Sequence, residues 1–210
     1  MTVELKCETV RGRALFRALR RDAAAMLRLL ELESCELSVV IVGDRAIRRL
    51  NRDYRGKDEA TDVLSFPQSE AWVERRGGRI SARRAARPVA VPGESAPPIA
   101  LGDVVISAET ARRQARALRE RPAARMRTLL IHGVLHLLGY DHEGSAAQAR
   151  RMFARECELA ARLAGESSMS RAAANGRGGI AAGDDSSPAA MPVQLLRQAG
   201  GSVRAGRRAR

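Results

Sequence analysis

Short runs of β-branched and apolar residues, bounded by glycine or proline, predict strands in this chain. The run at 36–43 ends at Gly43, and the run at 61–66 stops at Pro67. The predicted strands are residues 2–6, 36–43, 61–66 and 101–106. Because they are few and short, they can form only a small sheet.

Apolar residues at intervals of three and four predict amphipathic helices between these strands. The first helix covers residues 12–31. Asp44 can cap a second helix that runs to about Tyr54, and Ser107 can cap a third that runs to about Glu120. Strands and helices therefore alternate along the first half of the chain.

Two more helices are predicted in the second half. Pro122 suits the first position of one of them, since its ring fixes a helical φ and its missing N–H is not needed there. Ser145 and Gln148 form a capping-box pattern for the last helix, which we expect to end at Gly165. These elements predict an α+β fold, in which helices pack on a small mixed sheet.

Two segments are rich in arginine, glycine, proline or serine and lack apolar periodicity. Residues 68–98 predict a long basic loop, and residues 166–210 predict a disordered basic tail. The folded domain is therefore expected at 1–165. Both basic segments could contact RNA phosphates without sequence preference, or they could simply be solvated.

Composition narrows the class of protein. The 210 residues are 45% hydrophobic but only 3% aromatic, and the net charge is +13, which favours a polyanionic partner such as nucleic acid. Cys7, Cys35 and Cys157 form no C-x-x-C pair, so reduced thiols are expected. No signal peptide and no bilayer-length apolar run is evident. We therefore expect a cytoplasmic protein that does not act at a membrane.

The three histidines of the chain all fall within residues 132–142. His132 and His136 are four apart, so they lie on the same face of a helix. Gly139 can end that helix and turn the chain so that His142 returns to the same point. Three imidazoles leave a tetrahedral ion one free position, as in catalytic zinc sites. We expect a metal site on a central helix and the turn after it.

Metzincin peptidases have the same ligand spacing, H-E-x-x-H-x-x-G-x-x-H. The glutamate that acts as their general base would stand at position 133, where this chain has Gly133. A glycine side chain cannot accept a proton, so a peptidase is the weaker interpretation.

Three segments together resemble the YbeY family of bacterial metal-dependent endoribonucleases, which act in rRNA maturation. They are NRDYRGKDEATDVLSFP at 51–67, LGDVVIS at 101–107 and HGVLHLLGYDH at 132–142. They occur in the family's order, and the last matches at every defined position. The resemblance covers roughly residues 1–165.

The resemblance implies one catalytic metal, most simply Zn²⁺, on the three histidines, although Ni²⁺, Cu²⁺ and Fe²⁺ also suit imidazole. It also implies that Arg55 is a functional residue near the metal. A guanidinium can clamp phosphate oxygens in a bidentate fork. Asp141 is a candidate partner for an imidazole N–H. Lys57, Asp58 and Ser65 are further candidates for the cleft.

The implied function is hydrolysis of single-stranded RNA in maturation of the 16S rRNA 3′ end and in late ribosome assembly and quality control. The small ribosomal subunit is then an expected partner. One alternative is a non-catalytic ribosome-assembly factor that zinc merely stabilises. A metzincin-like metallopeptidase is the remaining alternative.

Overall fold

The structure, a computed structural model, describes residues 2–68, 72–76, 79–83, 98–142 and 145–175. The strands are β1 (Thr2–Cys7), β2 (Cys35–Val42), β3 (Val63–Pro67), β4 (Trp72–Arg76), β5 (Arg79–Arg83) and β6 (Ile99–Ser107). The helices are α1 (Val10–Leu29), α2 (Asp44–Arg55), α3 (Ala108–Ala117), α4 (Pro122–Leu137) and α5 (Ala146–Asn175). The predicted α+β fold is confirmed.

Four strands form a mixed sheet in the order β1-β2-β6-β3. β1, β2 and β6 are parallel, and β3 pairs antiparallel with β6. Parallel neighbours need a crossover connection, which the helices between these strands supply. In this order, the antiparallel strand β3 lies at one edge of the sheet.

Side chains alternate between the two faces of the sheet, as the pleat requires. On β6, Val104 and Ile106 belong to the main core, which α1, α4 and α5 cover. Val105 faces the other way and packs in a second, smaller cluster with Ile47 of α2. The sheet is thus covered on both faces, and α4 lies within the main core.

A bulge in β6 brings its start close to the end of β3. The pairing register of β6 shifts between Ala100 and Gly102, so that Leu101 is the extra residue. Gly102 has a φ of 134°, and a Cβ there would stand 2.2 Å from the carbonyl oxygen of Phe66. Only glycine fits this approach, which explains the glycine of the LGDVVIS segment.

The predicted capping role of Asp44 is wrong. Gly43 is the N-cap residue of α2, and Asp44 is the first residue of the helix. Its carboxylate instead accepts hydrogen bonds from Ser107, Thr110 and Arg113, at 2.5–2.7 Å. Asp44 therefore links α2 to the start of α3, whose predicted cap by Ser107 is confirmed.

The basic segment at 68–98 is not a loop throughout. It contains β4 and β5, which pair as an antiparallel hairpin in which Arg76 lies opposite Arg79. The dipeptide Gly77-Gly78 between two β-prone runs is a recognisable hairpin pattern. Residues 69–71, 77–78 and 84–97 lie outside the described residues.

The last helix does not end at Gly165. It continues to Asn175, so residues 166–175 are helical rather than part of a disordered tail. A single glycine costs a helix interior only about 1 kcal/mol, and the helix formers after it can offset that cost. The predicted tail from 176 to 210 lies outside the described residues.

Candidate active site

The three histidines converge as the spacing predicts. His132 and His136 lie one turn apart on α4, and their Nε2 atoms are 3.1 Å apart. The ring of His142 has its centroid 5.4 Å from that of His132 and 5.2 Å from that of His136. One ring nitrogen from each histidine lies within 4.8 Å of the other two.

A glycine turn brings His142 back to the helix. Gly139 has a φ of 74°, and its N–H donates to the carbonyl of His136 while the N–H of Tyr140 donates to that of Leu135. This pair of hydrogen bonds is a Schellman motif, which ends a helix and reverses the chain direction. The left-handed helix stop predicted at Gly139 is confirmed.

Glu156 of α5 orients the first histidine, and sequence reasoning missed it. Its carboxylate oxygen lies 2.7 Å from Nδ1 of His132, and both side chains are only 3% exposed. A carboxylate accepts, so Nδ1–H donates, and Nε2 is the ring nitrogen left to bind a cation. The buried guanidinium of Arg125 adds an attractive electrostatic interaction with Glu156.

A pattern in the sequence could have pointed to Glu156. Met152, Glu156, Leu159 and Leu163 recur at helical spacing, and all four are buried. A carboxylate on the apolar face of a helix needs a buried partner, because an unpaired charge there is expensive. The partner's identity does not follow from the spacing, since it lies on another helix.

The second histidine is held in its neutral form. Burial, followed by the repulsion of His132 and His142, lowers the pKa of His136 to about 4, although Asp141 acts in the opposite sense. An imidazole with this pKa is unprotonated at neutral pH and offers a lone pair to a cation.

The donor set fits a single transition-metal ion. Zn²⁺ bound tetrahedrally by nitrogens at 2.0–2.1 Å requires neighbouring nitrogens to be about 3.3 Å apart. The 3.1 Å between the Nε2 atoms of His132 and His136 is close to that value. Among the described residues, these three histidines form the one cluster of His, Cys, Asp or Glu side chains that could hold a metal ion. The histidines alone leave a tetrahedral ion one open position.

The histidines border a cavity of about 480 Å³ between β3 and α4. Arg55, the last residue of α2, lines the same cavity, because the left-handed Gly56 ends the helix directly after it. The remaining lining residues are Tyr54, Val63, Leu64, Ser65, Phe66, Pro67 and Asp141. The same cavity is thus lined by Arg55 of the segment 51–67 and by the histidines of the segment 132–142.

The helix carrying the histidines is seated tightly on the sheet. The hydroxyl of Ser65 donates to the carbonyl of Gly133 at 3.0 Å. A Cβ at position 133 would stand 2.6 Å from Val104 Cγ1 and 3.2 Å from Ser65 Oγ. Position 133 therefore faces the sheet, where α4 packs closely on β6.

The other predicted cleft residues are placed differently. Asp141 and Ser65 line the cavity, whereas Lys57 and Asp58 lie outside its lining. Asp58 accepts two hydrogen bonds from the guanidinium of Arg48, at 2.9 and 2.7 Å, and this exposed pair lowers the pKa of Asp58. The Nδ2 of Asn51, which is buried, donates to the carbonyl of Glu59 at 2.9 Å and ties down the turn after α2.

This arrangement is suited to phosphoryl chemistry. A cation site and a guanidinium border one open cavity, and both favour a substrate that carries negative charge. Among the described residues, no helix has the length and apolarity needed to cross a membrane.

Comparison with known proteins finds matches over most of this chain. The family model described as "Endoribonuclease YbeY" matches residues 4–164. A protein named "Endoribonuclease YbeY" from an Anaeromyxobacter species is 49% identical over 160 residues, which are 76% of this chain and 71% of the relative. A protein of the same name from Geobacter sulfurreducens is 44% identical over 148 residues, covering 70% of this chain and 85% of the relative.

A solved structure supports the fold independently. The solution structure of a Thermotoga maritima protein superposes with a TM-score of 0.52 and 22% identity, covering 89% of this chain and 99% of the other. At that identity the likeness concerns the fold alone. The family model and the relatives carry the assignment, and the chain belongs to the YbeY family of endoribonucleases.

Proposed function

We propose that this chain is a metal-dependent endoribonuclease that hydrolyses single-stranded RNA in rRNA maturation. The observation that carries the proposal is the shared cavity, which Arg55 and all three histidines line. The chain's membership of an endoribonuclease family supports the same reaction.

Zn²⁺ is the metal that the donor set favours, at one ion per chain. Three imidazole nitrogens suit it, and Ni²⁺, Cu²⁺ and Fe²⁺ are the alternatives that also bind imidazole. When bound, such an ion would polarise a phosphoryl oxygen and lower the pKa of water.

Arg55 acts on the substrate phosphate. Its guanidinium can hold two non-bridging oxygens in a bidentate fork, and it stabilises the charge that they gain during attack. Asp141 borders the cavity beside the histidines and is the candidate partner for an imidazole N–H. Ser65 contributes indirectly, because its hydroxyl holds the backbone of α4 at Gly133.

The cellular setting follows from the proposed reaction. The substrate is rRNA, including the 3′ end of 16S rRNA, and the partner is the small ribosomal subunit in the cytoplasm. The net charge of +13 suits both. The catalytic domain extends to the end of α5 at Asn175, and the basic residues of 68–98 and of 176–210 supply contacts to phosphates that do not depend on sequence.

Position 133 argues against a peptidase. A Cβ at that position would stand 2.6 Å from Val104 Cγ1 and 3.2 Å from Ser65 Oγ, so a glutamate there would force α4 away from the sheet. The general base of the metzincin pattern is therefore absent, and the packing of α4 on the sheet leaves no room to restore it.

An RNA cleavage assay tests the proposal. Metal-loaded wild type should cut single-stranded RNA and leave casein intact. Arg55→Ala should lower kcat/KM by about 10²–10³-fold without loss of folding, as expected for one charge-stabilising donor. Arg55→Lys should recover only a small part, since an ammonium lacks the planar fork.

Arg49→Ala is the matched control, because Arg49 is exposed on the same helix and lies outside the cavity lining. It should cut RNA at nearly the wild-type rate. Wild-type rates for Arg55→Ala would favour the non-catalytic assembly factor, and cleavage of casein with intact RNA would favour the peptidase.

A further inference from the structure

Two aromatic rings meet at the cavity, although the chain holds only six phenylalanine, tyrosine and tryptophan residues. Tyr54 and Phe66 have ring centroids 5.0 Å apart and planes at 66°, an edge-to-face contact. Both rings line the cavity together with Arg55 and the histidines. Tyr54 is 70% exposed as a residue, which is unusual for a large aromatic one.

The phenylalanine ring of this pair is held in place by packing. Phe66 stands on β3 and packs against the small cluster between the sheet and α2. The approach of Gly102 to the carbonyl of Phe66 holds that end of the strand. Phe66 thus packs against the Tyr54 ring, while Tyr54 itself stays largely exposed to solvent.

We propose that Tyr54 is a stacking platform for an unpaired nucleobase of the substrate. This inference rests on the proposed function, since it assumes that the cavity binds RNA. Exposed aromatic rings beside a positive charge are the usual way in which proteins bind single-stranded nucleic acid without sequence choice. Here the positive charge is Arg55, the next residue along α2.

Neighbouring residues suit neighbouring parts of a nucleotide. Tyr54 and Arg55 end the same helix and both border the cavity, so one can contact a base while the other holds an adjacent phosphate. A base inside a duplex has both faces covered by its neighbours, so it cannot stack on a protein ring. The platform therefore selects unpaired RNA at the site of cleavage.

Variants of Tyr54 test the platform with a short single-stranded RNA. Tyr54→Leu keeps an apolar side chain but removes the ring, and it should weaken binding and raise KM by about 5- to 150-fold, the equivalent of one lost stacking contact. Tyr54→Phe keeps the ring and should restore binding to within about threefold. Phe153→Leu removes another exposed aromatic, which lies outside the cavity lining, and serves as the control.

Oligonucleotides that each lack one base supply a second, independent measurement. For wild type, removal of the base that stacks on Tyr54 should raise KM as the Tyr54→Leu change does. For Tyr54→Leu the same removal should have little further effect, because the contact is already absent.

These measurements distinguish failure of the stacking role of Tyr54 from failure of the proposed endoribonuclease function. Wild-type KM in Tyr54→Leu, with RNA still cut, would overturn the platform and leave the endoribonuclease intact. Equal loss in Tyr54→Phe and Tyr54→Leu would also overturn it, since the hydroxyl would then be the contact. Failure of wild type to bind or cut RNA would refute the proposed function itself.

Discussion

At the scale of single residues, the site depends on contacts of very different range. The spacing of His132, His136 and His142 could be interpreted from the sequence, because a helix and a glycine turn place neighbours predictably. The contact between His132 and Glu156 joins residues 24 apart on two helices. No local pattern encodes the angle at which α5 crosses α4, so this partner could not be predicted.

Glu156→Gln should weaken metal binding while the fold is kept. The amide oxygen can still accept from Nδ1–H of His132, but the negative charge that strengthens the ligand is lost. Loss of such a carboxylate typically costs 10–100-fold in metal affinity. The dissociation constant can be measured by competition with a chromogenic chelator.

The control for this change is Glu158→Gln, which alters an exposed carboxylate of the same helix that pairs with Arg155 and Arg162. It should leave the metal dissociation constant unchanged. Equal affinities in wild type and Glu156→Gln would contradict the role given to Glu156.

At the scale of elements, most helices and strands were predictable because their signals are local. Pro122 begins α4, Ser107 caps α3, and Gly139 ends α4's terminal turn. The end of α5 was not predictable from Gly165, since a lone glycine is compatible with a helix whose neighbours favour it. Strand order also escaped prediction, because β6 pairs with β2 across 56 or more intervening residues.

The seat of α4 on β6 can be tested by a double-mutant cycle. Gly133→Ala should destabilise the protein by about 1–3 kcal/mol, because its Cβ would press on Val104 at 2.6 Å. Val104→Ala opens that space, so the pair should show a favourable coupling of about 0.5–3 kcal/mol. Urea unfolding of wild type, both single variants and the double variant gives the four free energies.

Simple additivity of the two free-energy costs would contradict the close contact between α4 and β6. It would also remove the packing argument against a glutamate at position 133. A large coupling would show that this contact fixes how closely α4 packs on β6.

At the scale of the whole molecule, the cavity lies where separate parts of the chain meet. The edge strand β3 and the end of α2 form one side, and α4 with the turn after it forms the other. α5 reaches the same place through Glu156. A cation held by the three histidines would join the helix α4 to the following turn, so its binding should stabilise the folded chain as a whole.

Metal removal should therefore lower the melting temperature. An ion present at about 100 times its dissociation constant stabilises the folded state by about 2.7 kcal/mol. For a chain of this size, that corresponds to roughly 5–10 °C. Calorimetry with and without a chelator measures the shift, and His136→Ala, which lacks one ligand, should show almost none. If the chelator leaves the melting temperature of wild type unchanged, metal binding does not stabilise the folded chain and this prediction is wrong.

X-ray absorption at the zinc edge of the loaded protein tests the central claim most directly. The account predicts three imidazole nitrogens at about 2.0–2.1 Å and one further light atom from solvent at the open position. A sulfur ligand, or fewer than three imidazoles, would contradict it.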